Sequence, residues 1–169
     1  LAATIMKHSQ RIGFGYDVHA LRPGGPLRLG GIEVPAEVEL VGHSDADVLA
    51  HAITDAILGA AALGDIGDHF PPSDPAYRGI DSMILLKKAL DMAVEKGFAL
   101  INVDATVIAE APKLGAHKKA MAVRLAEVLG LEEDRVNIKA TTNEGMGFLG
   151  RREGIAAAAV ALLVASSDG

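Results

Sequence analysis

Alternating apolar and polar positions at the start of the chain predict antiparallel strands. Residues 11–18 alternate around glycines and predict a first strand, which is followed by the turn residues Arg22-Pro-Gly-Gly-Pro26. Two short apolar runs, 27–29 and 32–34, flank the pair Gly30-Gly31, which suits a tight two-residue hairpin. The chain is therefore expected to open with antiparallel β-structure.

The clearest helical pattern lies in residues 45–63, where apolar side chains recur every three or four positions. Ser44 is the expected N-cap of this helix and Gly64 is the expected stop. The following stretch, 64–77, is rich in Pro, Gly and Asp, and it is predicted to be an irregular loop. Long loops of this kind often have a function.

The rest of the chain alternates helices with strands. Amphipathic helices are predicted over 81–96 and 112–129, and each ends at a glycine. Strands rich in β-branched residues are predicted over 98–109 and 136–141. The last apolar segment, 155–165, is ambiguous, since four consecutive alanines favour a helix whereas a short apolar run also suits a buried strand. Without a repeat or linker, residues 11–167 are predicted to form one α/β domain, a two-layer sandwich with helices packed on one face of a mixed sheet. Residues 1–10 are expected to be a leader or a tag remnant.

Composition limits the class of protein. Apolar residues make up 50 % of the chain and charged residues 22 %, which is typical of a packed globular domain and excludes intrinsic disorder. A net charge of −6, no basic run and only 4 % aromatic residues argue against a nucleic acid or an anionic membrane as partner. Because the chain has no cysteine, any metal must be bound by His, Asp or Glu. The longest apolar run is too short to span a membrane.

Asp17 and His19 form the sharpest candidate site. In an extended strand, residues i and i+2 point to the same face, about 7 Å apart, so the carboxylate and the imidazole converge on one point. This arrangement is suited to binding a metal ion. Taken alone, the pair can also be an ordinary Asp and His at the surface of a strand end.

The first predicted helix adds a second imidazole. Asp47, His51 and Asp55 lie at i, i+4 and i+8 on one stripe of this helix, and His43 comes just before it. The stripe can simply face water, but His51 lies among apolar neighbours. One Asp with two His is a known zinc ligand set that leaves a fourth position open for substrate. Asp55 is expected either to accept the other N–H of His51 or to face water.

Two other segments have features of phosphate sites. Lys139-Ala-Thr-Thr-Asn-Glu144 ends a predicted strand with hydroxyls, and Glu144 suits a hard cation such as Mg²⁺. Taken alone, this segment can also be an ordinary turn. Ala109-Glu-Ala-Pro-Lys-Leu-Gly115 leads into the start of a predicted helix, where anions are favoured and Lys113 adds positive charge.

Several segments of the chain form an ordered set of long motifs. They are RIGFGYDVH from Arg11, GHSDADVLAHAITDA from Gly42, GAAALGDIG from Gly59, FPPSDP from Phe70, NVDATVIAEAPK from Asn102, VNIKATTNE from Val136 and GFLGRREGIA from Gly147. This set resembles the 2-C-methyl-D-erythritol 2,4-cyclodiphosphate synthase family. The resemblance covers the whole chain except the leader and the last few residues.

The resemblance implies a metal-dependent ring closure in the non-mevalonate isoprenoid pathway. In this reaction, the 2-phosphate of 4-diphosphocytidyl-2-C-methyl-D-erythritol 2-phosphate attacks its own β-phosphorus and expels CMP. By matching positions, the family's zinc ligands become Asp17, His19 and His51. Glu144 becomes the ligand of a Mg²⁺ or Mn²⁺ that bridges the α- and β-phosphates, and His43 and Thr142 become the residues that stabilise the transition state.

The resemblance also implies which residues contact the substrate. On the methylerythritol phosphate side they are Asp17, His19, His43, Ser44, Asp65, Ile66, Gly67, Phe70, Pro71, Pro72, Ser73 and Asp74. Around the cytidine they are Ala109, Glu110, Ala111, Pro112, Lys113, Leu114, Gly115, Thr141, Thr142, Asn143 and Glu144.

The family is a homotrimer with each active site at a subunit interface, and the same assembly is implied here. The last segment, 155–165, is then expected to be a strand, against its helix propensity. Phe148 and Arg151 are implied to line a cavity on the trimer axis, which holds an isoprenoid diphosphate in some members. The chain departs from the usual Pro, Gly and Glu of the family at Ala116, Arg152 and Ala158. The implied location is the bacterial cytoplasm, or the plastid stroma in a plant or alga.

Two other functions are compatible with some of these features. A zinc phosphohydrolase would use the same three ligands to activate water, and it would release inorganic phosphate where the synthase releases CMP. A non-catalytic, trimeric isoprenoid-diphosphate-binding protein would have no use for the metal ligands or the cytidine loop.

Overall fold

A five-stranded mixed sheet forms the centre of the computed structural model, which describes residues 10–166. The strands of the chain are β1 (Gln10–Pro23), β2 (Leu27–Leu29), β3 (Ile32–Val34), β4 (Val38–Leu40), β5 (Phe98–Ile108), β6 (Val136–Thr141) and β7 (Gly154–Ala165). The sheet has the order β4-β1-β7-β5-β6, while β2 and β3 pair separately as a hairpin. Only β5 and β6 are parallel among the neighbouring strands of this sheet.

The helices cover one face of the sheet, as the hydrophobic pattern predicts. They are α1 (Val48–Ala60), α2 (Ile66–His69), α3 (Ser82–Glu95), α4 (Lys118–Leu129) and α5 (Gly147–Gly150), with 3₁₀ turns at Pro75–Tyr77 and Glu133–Arg135. α1 packs on β1 and β7, α3 packs on α1, and α4 packs on β6. The predicted two-layer sandwich is therefore confirmed. In residues 10–166, no helix is long and apolar enough to cross a membrane.

The ambiguous last segment is the strand β7, as the resemblance implies. β7 lies in the middle of the sheet, with β1 on one side and β5 on the other, so its backbone is paired on both edges. Ala157, Ala159 and Ala161 are almost fully buried towards the helices. This tertiary pairing outweighs the intrinsic preference of alanine for helix.

The predicted start of the first helix is wrong, because Asp47 and not Ser44 is the N-cap. Asp47 Oδ1 accepts the N–H of Ala50, and its two carboxylate oxygens also accept the N–H groups of Gly30 and Gly31 in the β2–β3 turn. The side chain is completely buried. Asp47 therefore caps α1 and joins the β2–β3 turn to the start of that helix by hydrogen bonds. The predicted hairpin is confirmed.

Several other predicted bounds are also wrong. The helix predicted over 112–129 begins only at Lys118, because Pro112 and Gly115 lie in a turn whose Leu114 carbonyl accepts the N–H groups of His117 and Lys118. The loop 64–77 contains α2, which Asp65 and Asp68 stabilise by a capping box.

The ends of the predicted domain are only partly described. β1 starts at Gln10 and continues to Pro23, so it is longer than the predicted strand 11–18. The rest of the expected leader lies outside the described residues, as does residue 167.

Gly13 and Gly15 let α1 approach the backbone of β1 closely. A Cβ atom built on Gly13 would lie 1.8 Å from the carbonyl oxygen of Ala56, and one built on Gly15 would lie 1.9 Å from that of Ala52. Real Cβ atoms do not approach backbone oxygens so closely, and the obstructing atoms belong to a helix backbone that cannot rotate away. The two glycines therefore determine the distance between α1 and the sheet.

We expect Gly13→Ala to destabilise the fold by about 3 kcal/mol, because α1 must move away from β1 to admit the methyl group. The free energy of unfolding is measured by urea denaturation at equal protein concentration. Gly59→Ala is the matched control, since Gly59 lies within α1 with no atom near its would-be Cβ, and it should stabilise the helix by up to about 1 kcal/mol. Equal stabilities of the two variants would contradict the role of Gly13.

Candidate functional site

Asp17, His19 and His51 meet where β1 faces α1. In β1, the side chains of odd-numbered residues from Gly13 onwards turn towards the helices, while the even-numbered side chains are exposed. Asp17 and His19 therefore continue the face that the two glycines begin. His51 comes one turn after the N-cap of α1 and points to the same place. The predicted convergence of these three residues is confirmed.

The ligand atoms of these three residues are arranged to hold a metal ion. Asp17 Oδ2 lies 2.8 Å from His19 Nε2 and 3.0 Å from His51 Nδ1, and the two nitrogens are 3.1 Å apart. Around a tetrahedral zinc ion with bonds of about 2.0–2.1 Å, the ligand atoms lie roughly 3.3 Å from one another. The observed separations therefore need to widen by only a few tenths of an ångström. Three ligand atoms from one Asp and two His fit zinc in both type and number.

The tautomer of His19 is fixed by its second ring nitrogen. His19 Nδ1 lies 2.8 Å from the carbonyl oxygen of Val41. A carbonyl oxygen only accepts hydrogen bonds, so Nδ1 must carry the proton. Neutral His19 therefore presents the lone pair of Nε2 to the metal position, which is the form that binds zinc.

The charges of the three ligands favour a cation. Burial alone would raise the pKa of Asp17, but the hydrogen bonds and charges of His19 and His51 outweigh it and hold the pKa below its ordinary value. Burial acts to lower the pKa of His19, but the hydrogen bond and charge of Asp17 raise it overall. Asp17 is therefore ionised, and a proton competes with a metal ion for His19.

Asp55 does not contact the imidazole of His51. Its Oδ1 accepts the N–H of Ile66 at 2.8 Å, so it joins α1 to the start of α2. Burial, together with the charges of Asp65 and Asp17, raises the pKa of this carboxyl group, although the bond from Ile66 opposes the rise. The expectation that Asp55 accepts from His51 is wrong, because Ser82 and Ser44 occupy the second ring nitrogen.

A cavity of about 250 Å³ opens above the metal ligands. It is lined by the predicted residues Asp17, His19, His43, Ser44, His51, Ile66, Gly67, Phe70 and Pro72. Tyr77 and Leu85 also line it and were not predicted from the sequence. Tyr77 packs edge-on against Phe70 with ring centroids 5.5 Å apart, so the loop between α1 and α3 has its own aromatic contact.

Four of the contacts implied on the methylerythritol phosphate side do not line this cavity, namely Asp65, Pro71, Ser73 and Asp74. Asp65 caps α2, and Asp74 caps the following 3₁₀ turn. The Asp74 carbonyl oxygen also accepts from His43 Nε2 at 3.3 Å. Asp65 and Asp74 therefore shape the loop that carries the lining residues.

A second cavity, of about 310 Å³, lies beside the ends of β5 and β6. Its lining includes the predicted residues Ala109, Pro112, Lys113, Leu114, Gly115, Thr141 and Thr142, together with Lys118 and Ala140. Ala111 is not among its lining residues. Two lysines thus supply positive charge to a cavity whose lining also includes two threonines.

Glu110, Asn143 and Glu144 also lie outside the lining of the second cavity. Glu110 Oε1 accepts the N–H groups of Asn143 and Gly145, at 2.8 and 3.2 Å. Glu110 is therefore a support of this loop. Glu144 is exposed, with its Oε1 3.3 Å from the Thr142 hydroxyl.

Phe148 and Arg151 lie in and just after the short helix α5. Both are exposed, and the guanidinium of Arg151 donates to Glu153 Oε1 at 2.6 Å. Arg152 has φ +62°, a left-handed conformation that favours glycine, the residue that the resemblance leads one to expect there.

Comparison with protein families identifies the chain. A model of the YgbB family matches residues 10–164. The chain belongs to the YgbB family. A YgbB relative from Symbiobacterium thermophilum, named 2-C-methyl-D-erythritol 2,4-cyclodiphosphate synthase, is 60 % identical over 152 residues, which cover 90 % of this chain and 97 % of the relative. A Bordetella petrii protein of the same name is 59 % identical over 157 residues, covering 93 % and 97 % of the two chains.

Solved structures have the same fold as this YgbB chain. The bifunctional IspDF protein from Campylobacter jejuni matches with a TM-score of 0.90 and 47 % identity, over 94 % of this chain and 43 % of that chain. A Plasmodium falciparum structure, titled an IspF CDP complex, matches with a TM-score of 0.81 and 34 % identity, over 94 % of this chain and 97 % of that chain.

Sequence reasoning missed two polar residues that lie behind His51, one of the three candidate metal ligands. Ser82 and Asp45 lie close to His51 in space but on separate elements, and neither has a recognisable metal-ligand spacing. Tyr77 is the last residue of the loop 64–77 and Leu85 lies in α3, and their position at the cavity depends on how that loop folds back. The presence of His51 among apolar neighbours was the one signal that polar partners must lie nearby.

We expect His51→Ala to abolish tight binding of zinc and to leave the chain folded. Asp17 and His19 alone cannot surround a tetrahedral ion, while the apolar residues of α1 still pack on the sheet. Isothermal titration with zinc and circular dichroism of the same sample test this expectation. The control is His117→Ala, because the His117 side chain makes no capping hydrogen bond and lies outside the metal centre. Undiminished zinc binding by the His51 variant would remove His51 from the centre.

Proposed function

We propose that this chain converts 4-diphosphocytidyl-2-C-methyl-D-erythritol 2-phosphate to 2-C-methyl-D-erythritol 2,4-cyclodiphosphate and CMP, a step of the non-mevalonate isoprenoid pathway. The observation that carries the proposal is the convergence of Asp17, His19 and His51 beneath a cavity. The chain that presents this group matches named synthases over about nine-tenths of its length. The activity is that of a phosphorus–oxygen lyase.

The reaction balances within one molecule. An oxygen of the 2-phosphate forms a bond to the β-phosphorus, and the bond from that phosphorus to the bridging oxygen breaks, so that CMP leaves with the bridging oxygen. Because nucleophile and electrophile belong to one substrate, the protein needs to fold the substrate and to stabilise crowded phosphate charge. His43 and Ser44 lie at the metal cavity and Thr142 at the second cavity. Their hydroxyl groups, and the imidazole N–H that in this structure points to the Asp74 carbonyl, can turn to donate to phosphate oxygens. We assign His43 and Thr142 to stabilisation of the transition state.

Cations are necessary because a chain with a net charge of −6 must bind a substrate that is itself strongly negative. We assign zinc to Asp17, His19 and His51, whose ligand types fit it. We assign Mg²⁺ or Mn²⁺ to Glu144, whose exposed carboxylate is a hard oxygen ligand. When bound, these ions would neutralise the phosphate charge that accumulates as the ring closes.

We assign the cytidine to the second cavity. The P. falciparum relative is titled a CDP complex, which supports a cytidine nucleotide as the ligand of the fold. The cavity offers Lys113 and Lys118 for phosphate and backbone groups around Ala109 and Gly115 for the base. The hydrogen bonds that Glu110 accepts from the backbone N–H groups of Asn143 and Gly145 hold these residues beside this cavity.

We further propose that the chain forms a homotrimer with active sites between subunits. The outer face of the sheet is apolar and exposed, since Ile12 is 73 % and Phe14 66 % accessible, and Tyr16, Val18 and Val160 are also exposed. An apolar surface of this kind marks an interface. No residue lines both cavities, which is expected if the two halves of one site come from different subunits. An isoprenoid diphosphate near Phe148 and Arg151, on the trimer axis, stays a prediction of the resemblance.

The deciding experiment is an assay of the purified chain with the proposed substrate, zinc and Mg²⁺, followed by ³¹P NMR. We expect equal amounts of CMP and a cyclic diphosphate. Release of inorganic phosphate would favour the zinc phosphohydrolase, and an unchanged substrate would leave the non-catalytic alternative. Either of these results would refute the proposed reaction.

Glu144→Gln tests the assignment of the second cation. If Glu144 is a ligand, loss of its charge should weaken the apparent Mg²⁺ affinity by about tenfold or more, because an amide oxygen is a poorer ligand than a carboxylate. Turnover is measured against Mg²⁺ at fixed zinc. Glu132→Gln is the control, since Glu132 flanks a distant 3₁₀ turn without a capping bond. An unshifted Mg²⁺ midpoint in the Glu144 variant would remove Glu144 from the site.

Phe14→Glu tests the proposed trimer. A charge on the outer face of β1 should oppose burial of that face, so we expect smaller assemblies in sedimentation and at least tenfold less CMP release. Ile84→Glu is the matched control, because Ile84 is also an exposed apolar residue but belongs to α3 on the opposite layer. A Phe14 variant that stays trimeric and active would place the interface elsewhere.

A further inference from the structure

A hydrogen-bonded chain of three side chains lies behind the metal ligand His51. His51 Nε2 lies 2.9 Å from Ser82 Oγ, and the Ser82 hydroxyl donates to Asp45 Oδ1. Asp45 Oδ2 also accepts the backbone N–H of Ser82 at 3.1 Å. Ser82 is completely buried at the first position of α3, whereas Asp45 lies between His43 and the start of α1. These hydrogen bonds therefore connect His51 and the metal centre to the start of α3 and to the segment that precedes α1.

The directions of these hydrogen bonds follow from the groups involved. An ionised carboxylate accepts hydrogen bonds and donates none, so the hydroxyl proton of Ser82 points to Asp45. Ser82 Oγ then has only lone pairs to offer to His51, and Nε2 must be the nitrogen that carries the proton. With the Nε2 proton held in this way, Nδ1 is the nitrogen left for the metal position, where it lies 3.0 Å from Asp17 Oδ2 and 3.1 Å from His19 Nε2. A metal ion bound there would replace the Nδ1 proton that Asp17 otherwise accepts.

We propose that Asp45 and Ser82 are positioning residues that hold His51 in its metal-binding tautomer. This inference rests on the metal centre of the proposed function. Neither side chain reaches the metal position, so both act through the imidazole. Ser44 Oγ is also 3.1 Å from His51 Nε2, but it makes no contact with a carboxylate that would fix the direction of its own proton. Asp45 therefore determines, through the hydroxyl of Ser82, which group donates in each of these hydrogen bonds.

Asp45 has three donors to satisfy, which makes Asp45→Asn an informative variant. Its carboxylate accepts from the backbone N–H groups of Ser82 and Asp47 and from the Ser82 hydroxyl. An asparagine offers one acceptor oxygen to these three donors. The hydroxyl is the only donor that can rotate away, and it then directs its proton to His51 Nε2. That arrangement favours the other tautomer, whose protonated Nδ1 cannot bind a metal.

We expect Asp45→Asn to weaken zinc affinity by about 10- to 100-fold, the usual effect of losing a group that orients a metal-binding histidine. Affinity is measured by competition with a chromophoric chelator on the intact chain. Histidine-selective ¹⁵N NMR during the zinc titration reports the tautomer directly. Before zinc is added, Nε2 of His51 should carry a proton in the unaltered protein, and in the variant Nε2 should be without a proton in a larger share of the molecules. A purely structural role of Asp45 would not move this signal.

The matched control is Asp81→Asn, because it removes the same charge from the residue next to Ser82. Asp81 caps α3 through the N–H of Met83, and asparagine can do the same. Zinc affinity of this variant should stay within about twofold of the unaltered protein. An equal loss in the two variants would mean that charge near α3, and not the hydrogen-bonded chain, supports zinc binding, and it would overturn the proposal.

A double-mutant cycle tests whether Asp45 acts through Ser82. Ser82→Ala should weaken zinc affinity less than Asp45→Asn, because Ser44 can still accept from Nε2 and no misdirected proton remains. Ser82→Ala should therefore restore part of the affinity when it is added to Asp45→Asn. If Asp45→Asn does not fold, a zinc affinity of Ser82→Ala equal to that of the unaltered protein overturns the proposal by itself.

The outcomes separate this inference from the proposed function. Additive losses in the double variant, or an unchanged tautomer in Asp45→Asn, overturn the role of Asp45 and Ser82 and leave the metal centre intact. If the unaltered chain binds zinc no better than His51→Ala, the assignment of the metal centre is refuted, and the inference is refuted with it.

Discussion

The direct contact of α1 with the backbone of β1 is the constraint on which the candidate site depends. Gly13 and Gly15 allow the carbonyl groups of Ala56 and Ala52 to approach the strand closely, and the order of these contacts shows that α1 runs antiparallel to β1. The next residues on the same face of the strand are Asp17 and His19, and the next turn of the helix in the opposite direction carries His51. A bulkier residue at either glycine would separate the helix from the strand and would also separate the three ligands. The candidate metal centre is in this sense a consequence of packing.

The two faces of β1 serve different purposes, and the strict alternation of the strand couples them. Odd positions bring the glycines, Asp17 and His19 to the helices, while even positions from Ile12 to Val18 expose an apolar surface. A shift of the pairing with β7 by one residue would exchange the two faces, since the side chains of a strand alternate with period two. The eleven paired positions between β1 and β7, from Gln10 to Ala20, oppose such a shift. The register of one strand pair thus fixes the ligand geometry and the surface proposed as an interface.

The sequence predicts those parts of the structure that depend on short-range periodicity. The i, i+2 rule places Asp17 and His19 together, and the glycine pair at 30–31 predicts the hairpin, because both features are decided within a few residues. Periodicity could not decide 155–165, since a strand paired on both edges and a buried helix have the same apolar composition. It also could not identify Ser82 as the partner of His51, because that contact depends on how α3 folds back onto α1. The serine that precedes the helix was a plausible cap, but the buried carboxylate of Asp47 reaches more backbone N–H groups.

Near each of the two cavities, a non-glycine residue has a left-handed conformation. Ala46, between His43 and α1, has φ +60°, and Glu144, beside the second cavity, has φ +54°. Such a conformation costs of order 1 kcal/mol and persists only where surrounding contacts impose it. For Ala46 these contacts come from the Ser44 hydroxyl and the Asp47 cap, and for Glu144 they come from Glu110, which accepts the N–H groups on either side of it. The cost is borne when the chain folds, before a substrate arrives. Phosphate groups of the proposed substrate would therefore meet donors and ligands that are already in place, which is the condition under which electrostatic stabilisation of a transition state is most effective.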